Sequence, residues 1–132
     1  MSSRLAYAAI LARWVALWTH TATALGNTTF EPVSGTPWVR LTVLDGAGRQ
    51  VTIGSPGKSC DRHDGVIALQ IFTPADEGES RARWLADAAA IVFRKQAFDG
   101  ITCLVPRVTA IGNEGAWFQM NVDFAFWREE LT

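Results

Sequence analysis

Residues 65–74 read Gly-Val-Ile-Ala-Leu-Gln-Ile-Phe-Thr-Pro, an almost wholly apolar run that stops on a proline and spills into Ala75-Asp76-Glu77-Gly78-Glu79. A half-exposed strand alternates apolar and polar residues, whereas an unbroken apolar run of this length marks a strand buried on both faces or central in its sheet. It sets the centre of the fold. The polar break after it leads at once into a helical pattern, predicted from Glu77 or Gly78 to Phe98. Asp76, Glu77 and Glu79 stand at the positive end of that helix and Arg94 and Lys95 near its negative end. Leu85, Ala89, Val92 and Phe93 form its core stripe, and Gly100 is a natural stop.

Upstream, residues 38–44 alternate. Val39, Leu41 and Val43 lie on one face, with Trp38, Arg40 and Thr42 on the other. Asp45-Gly46-Ala47-Gly48 reads as a turn and Gln50 to Ile53 as the returning strand of a hairpin. Residues 54–64 read as a polar loop. Before these, apolar residues recur at Tyr7, Ile10, Leu11, Trp14, Leu17 and Trp18, the stripe of an amphipathic helix over residues 3–25, capped by Ser2 or Ser3 and ended by Gly26-Asn27. Arg4 and the run Leu5 to Leu11, with Ala22-Thr23-Ala24 behind, imitate a secretory signal, but Arg13 and His20 interrupt it and favour a retained helix. Downstream, two long strands are predicted over residues 102–111 and 116–128. In the last, Phe118, Met120, Val122, Phe124 and Phe126 point one way, while Trp117, Gln119, Asn121, Asp123 and Trp127 point the other. The expected fold is therefore one α+β domain. Its mostly antiparallel sheet has about five strands and two helices on one face, in the order helix, three strands, helix, two strands.

At 132 residues, 48% hydrophobic and with a net charge of -1, the chain has the composition of a globular domain and lacks the basic excess of a dedicated nucleic-acid binder. Its two cysteines are too few for a disulfide scaffold. No stretch is long and uncharged enough to span a bilayer. Gly54-Ser55-Pro56-Gly57-Lys58-Ser59 suggests a phosphate loop, but the motif's first glycine is replaced by Thr52, and a strand rather than a helix follows. Cys60, Asp61, His63 and Asp64 cluster, but they supply neither a zinc set nor a Cys–His pair with an orienting partner. No cofactor, metal or catalytic constellation is expected. Of the six tryptophans, Trp14, Trp18 and Trp84 fall on helices and are expected in the core. Trp38, Trp117 and Trp127 fall on strand faces opposite the apolar ones. There they either cap the sheet's second face or meet a partner, as interface aromatics do.

The runs Trp38-Val39-Arg40-Leu41-Thr42-Val43-Leu44, Val51-Thr52-Ile53-Gly54 and Gly65 to Pro74, the Ala-rich helix around Ala86 to Phe93, and Gly115-Ala116-Trp117-Phe118-Gln119-Met120-Asn121-Val122 together resemble the tail-terminator-like virion proteins of long-tailed bacteriophages and phage-like particles. The resemblance spans Trp38 to Trp127 and includes no catalytic residue. It implies a ring, usually of six subunits, assembled in the host cytoplasm and found at the head–tail junction of the virion. Such a ring caps the tail tube, stops its growth and docks head-completion proteins, while DNA passes through the lumen without sequence-specific binding. It has no membrane partner. Trp38, Arg40, Trp117, Gln119 and Trp127 are then candidate subunit or partner contacts, and Lys58, Arg62 and His63 candidate lumen or partner residues. The alternatives are another head–tail joining protein, or a small α+β enzyme or ligand-binding module built on Cys60 to His63.

Overall fold

A computed structural model describes residues 1–50 and 60–131. The apolar run lies inside a long strand, β3 (Cys60–Pro74), flanked along its length by β2 (Trp38–Gln50) and β7 (Trp117–Leu131), both antiparallel to it. The strand is central, as expected, but its two faces differ. Gly65, Ile67, Leu69, Ile71 and Thr73 are buried, and the residues between them are half-buried. Central position satisfies the backbone on both edges, so small or apolar residues such as Ala68 and Phe72 are tolerated on the second face without a full layer above them.

The buried face carries both helices. Helix α1 (Ser3–Leu17) starts at Ser2, whose hydroxyl accepts from Leu5 N at 3.3 Å. Helix α2 (Ser80–Phe93) buries Leu85, Ala89, Val92 and Phe93, the stripe expected of it. Ile10 and Trp14 of α1 join these residues in one core with Val39 and Leu41 of β2, Ile67 to Ile71 of β3 and the even-numbered residues Phe118 to Phe126 of β7. The Trp14 ring stacks on Trp18 at 4.6 Å and on Phe93 at 6.0 Å.

Four departures from the sequence reading have clear causes. The first helix ends at Leu17 rather than Leu25, and Ala22–Leu25 form strand β1, parallel to β2. The β-branched Thr19, Thr21 and Thr23 disfavour helix. The indoles of Trp18 and Trp14 donate to Thr21 Oγ1 at 3.0 Å and Thr23 Oγ1 at 2.9 Å, drawing the segment onto the core. The sheet is therefore mixed, and Tyr7 and Leu17 are exposed instead of facing the core.

Second, Asp45 to Gly48 is an irregularity within β2, which runs on to pair with residues 61–63; the predicted hairpin turn is not there. Gly48 sits against the His63 ring, where a Cβ would come within 2.6 Å. Asp61 to Asp64 accordingly lie in strand β3 and not in a loop. Residues 51–59, which include the expected return strand beyond Gln50, the rejected phosphate loop and Lys58, lie outside the described residues.

Third, α2 stops at Phe93, and β4 (Ala97–Phe98) pairs with β5 (Ile101–Cys103) through a two-residue turn, Asp99-Gly100, both residues at positive φ. Asp-Gly is the sequence signature of such a turn, and it overrides the reading of Gly100 as a helix stop. Fourth, Pro106 divides the expected strand over residues 102–111, so that β5 and β6 (Arg107–Glu114) pair with successive stretches of β7. Among the described residues the result is a seven-stranded sheet, β1-β2-β3-β7-β5-β4 with β6 also on β7. The order is helix, three strands, helix, four strands, an α+β fold.

Gly65 is the tightest point of the central strand. A Cβ there would lie 2.5 Å from the Phe126 ring and 2.8 Å from Leu44 O, and the latter, being backbone, cannot rotate away. Gly65→Ala is expected to destabilise the protein by about 1–3 kcal/mol through overpacking. An unchanged urea midpoint would show that Phe126 does not need this gap.

Candidate assembly surfaces

The face of the sheet opposite the helices carries the aromatic strand residues, in two groups. At one end Trp38 stacks on Phe72 at 4.2 Å and meets Trp117 edge-on at 6.1 Å. The register places Trp38, Phe72 and Gln119 in one row across β2, β3 and β7. The Arg40 guanidinium lies 5.8 Å from the Trp38 ring and donates to Leu25 O at 3.0 Å. Gln119 donates to Asn121 Oδ1 at 2.9 Å. Four of the expected contact residues are thus brought together, with Phe72 and Phe30 added. Phe30, from the loop after β1, covers Trp38 at 5.0 Å. The signal for Phe30 was its isolation as the one aromatic in a Thr-, Pro- and Gly-rich stretch. Trp38 itself is buried within this single chain, whereas Trp117 is half-buried.

Trp127 belongs to the other group. It pairs with Asp64 while Trp117 pairs with Pro74, so ten residues of β7, about 34 Å of strand, separate the two tryptophans. The Arg62 guanidinium lies 4.1 Å over the Trp127 ring and bonds Glu129 Oε1 at 2.7 Å. His63 approaches Glu130 at 3.6 Å from the helix-bearing side of the strand, and Arg49 pairs with Asp64 at 3.0 Å. Arg62 is therefore held by a strand-to-strand ion pair, and His63 lies beside a carboxylate of the neighbouring strand. These pairs make this a charged end of the sheet. Among the described residues no group of three or more His, Cys, Asp or Glu side chains is placed to hold a metal. Burial pushes the Cys60 thiol up, with Glu129 adding to it, and pushes Cys103 to about 11, which disfavours thiolate at both. The two cysteines lie on different strands, opposite Leu131 and Phe126 of β7.

Trp84, expected in the core, is 57% exposed. Its ring meets His20 edge-on at 5.0 Å, above a groove of about 480 Å³ that Arg81, Thr36 and Pro37 also line. Helix α1 carries the larger surprise. Only Arg4 and Arg13 are charged, and Arg13 is turned inward onto Val92 O at 2.8 Å. The outward stripe is Leu5, Ala8, Ala12, Val15 and Ala16, all exposed. A helix apolar on every side is the pattern of one buried on every side. Sequence periodicity missed this stripe because the inward-facing apolar residues already satisfied an amphipathic reading.

The family model of the phage tail terminator protein matches residues 4–125. The chain belongs to that family. It is thereby a structural component of a phage tail, and the family is not one of enzymes. A solved structure superposes over 100% of this chain and 98% of its own at a TM-score of 0.70; at 19% identity this likeness extends to the fold alone. No curated protein matches. Among the described residues no helix is long and apolar enough to cross a bilayer.

Within this terminator-family chain the tryptophans divide by burial, and two substitutions separate them. Trp38→Ala is expected to cost about 3–5 kcal/mol in chemical denaturation. Trp84→Ala should change stability by no more than about 0.5 kcal/mol. Equal costs would contradict the packing described. The charged end predicts a pH effect. The Arg62 hydrogen bond holds Glu129 below its ordinary 4.5. That contribution is complete above the unfolded value and is lost as pH falls through the depressed folded one. Arg62→Ala should therefore begin to unfold at a higher pH in an acid titration below about 4.5. Superposable acid limbs would count against the pairing.

Proposed function

We propose that this chain forms a closed ring on the head-proximal end of the tail tube, stops tube polymerisation there and offers its outer face to head-completion proteins. Six copies is the number the family resemblance implies. Tail-tube subunits, head-completion protein and further copies of this chain are its partners, and DNA crosses the lumen without being read. The observation that carries this reading is the outward stripe of α1. An exposed row of Leu5, Ala8, Ala12 and Val15 leaves apolar area in water that a neighbouring copy would remove.

Closure needs two different surfaces on each copy, since head-to-tail contacts close a ring only when unlike patches meet. The second surface is supported by β6, which among the described residues bonds β7 on one side only. It exposes Val108 and Ile111, with Leu104 and Val105 just before it. Unpaired strand edges of this kind add readily to another chain. Trp117, Gln119, Arg40 and Trp127 are assigned supporting contacts at the rim of the second face, and Trp38 acts through the packing beneath them. Arg62 and His63, with Lys58, are placed toward the lumen or a partner. A net charge of -1 agrees with a lumen that passes DNA without holding it.

Purified tail tubes incubated with the protein and viewed by electron microscopy should carry a ring at one end and cease to elongate. Ala12→Arg, on the exposed face of α1, should abolish capping while leaving the circular dichroism and melting of the single chain unchanged. Trp117→Ala should weaken capping without unfolding the chain. Tubes that grow equally well with and without the protein would defeat the proposal.

A further inference from the structure

Three tryptophans of this chain are at least nine-tenths buried, and they differ in one respect. Trp14 and Trp18 are 1% and 6% exposed, and their indole N–H groups donate to Thr23 and Thr21. Trp38 is 8% exposed, and among the described residues its Nε1 has no acceptor. Leaving a buried donor unpaired forfeits a hydrogen bond that water would have made, so the closed arrangement over Trp38 carries a standing penalty.

The loop from Asn27 to Pro37 reaches this ring through Phe30, which stacks on it at 5.0 Å. This loop lacks regular structure, and its residues from Glu31 to Thr36 are exposed. Its hydrogen bonds are local, from Thr28 Oγ1 to Leu25 O at 2.7 Å and from Thr36 N to Val33 O at 3.1 Å. Neither ties the middle of the loop to the sheet. The side chain of Phe30 does so by stacking on Trp38. Asn27 enters at φ 59 and Gly35 leaves at φ 77, so the segment turns sharply at both ends. Few buried contacts and a backbone largely open to water are the marks of a unit that opens below the global unfolding free energy.

We propose that residues 27–37 form a strap, pinned by Phe30, that opens in the otherwise folded chain and uncovers the Trp38–Phe72–Trp117 platform. Opening hydrates the Trp38 N–H, which offsets part of the loss of the Phe30 stack, and the strap is therefore poised between two states. This deepens the ring reading, on which its use rests: a platform hidden in the single chain becomes available where copies meet, and aromatic surface is kept from premature association.

The test is hydrogen exchange of the indole N–H groups, followed by NMR on the full single chain, with Trp14 and Trp18 as internal references. Local opening predicts that the Trp38 N–H exchanges at least about tenfold faster than either reference under conditions that leave the core amides of β3 protected. Phe30→Ala should speed Trp38 exchange further while the core amides keep their protection. Phe30→Leu, which keeps an apolar anchor without the ring stack, should fall between the two. Exchange of Trp38 at the rate of Trp14, or acceleration by Phe30→Ala only in step with the core amides, would overturn the strap. The measurement needs no ring. A chain that opens its strap yet never caps tubes would therefore defeat the ring reading alone, and one that caps tubes with Trp38 exchanging only on global unfolding would defeat the strap alone.

Discussion

The pairing of β3 with β7 over fifteen successive residues, from Cys60 opposite Leu131 to Pro74 opposite Trp117, is the constraint on which the other elements rest. Side chains alternate along a strand, so a shift of one residue would exchange the two faces. Ile67, Leu69 and Ile71 would then meet solvent, and Gln70 would meet the helices. The register that buries the isoleucines also sets Gly65 beneath Phe126, aligns Phe72 with Trp38 and Gln119, and places Arg62 beside Glu129. Core, aromatic platform and charged end are three consequences of one alignment.

The two ends of this three-strand ribbon behave differently. Under the helices, the sheet is held by apolar burial and by the Trp14–Phe93 stack, which is insensitive to pH and salt. Beyond them, β2, β3 and β7 are linked through Arg49–Asp64 and Arg62–Glu129, pairs at the surface that salt screens. An element stabilised this way can adapt to a neighbour more readily than a packed core can. The surfaces left apolar lie on α1 and along β6.

Much of this was legible in the sequence. The central strand, the burial stripe of α2 and the alternation of β7 follow from periodicity alone, because each element buries one face against one layer. The family resemblance followed from the same segments. Harder to read were the places where local pattern and tertiary demand diverge. The helix-like repeat through Leu25 continued across residues that the Trp14 and Trp18 indoles draw into a parallel strand. Asp45 to Gly48 has turn composition but serves as an irregularity in a long strand, since the partner that extends it, residues 61–65, is remote in sequence.

The sequence by itself determined the α+β class, the identity of the inward-facing side chains and membership among phage tail terminators, since these depend on residue types at short, regular spacings. Only the tertiary structure decided that Trp38 is covered by Phe30, that Trp84 stands exposed, that Trp127 lies far from Trp117, and that α1 has a second, unburied apolar stripe. Spacing states which residues share a face, but whether that face meets a loop, a helix or solvent depends on how other segments of the chain, near or remote in sequence, fold onto it.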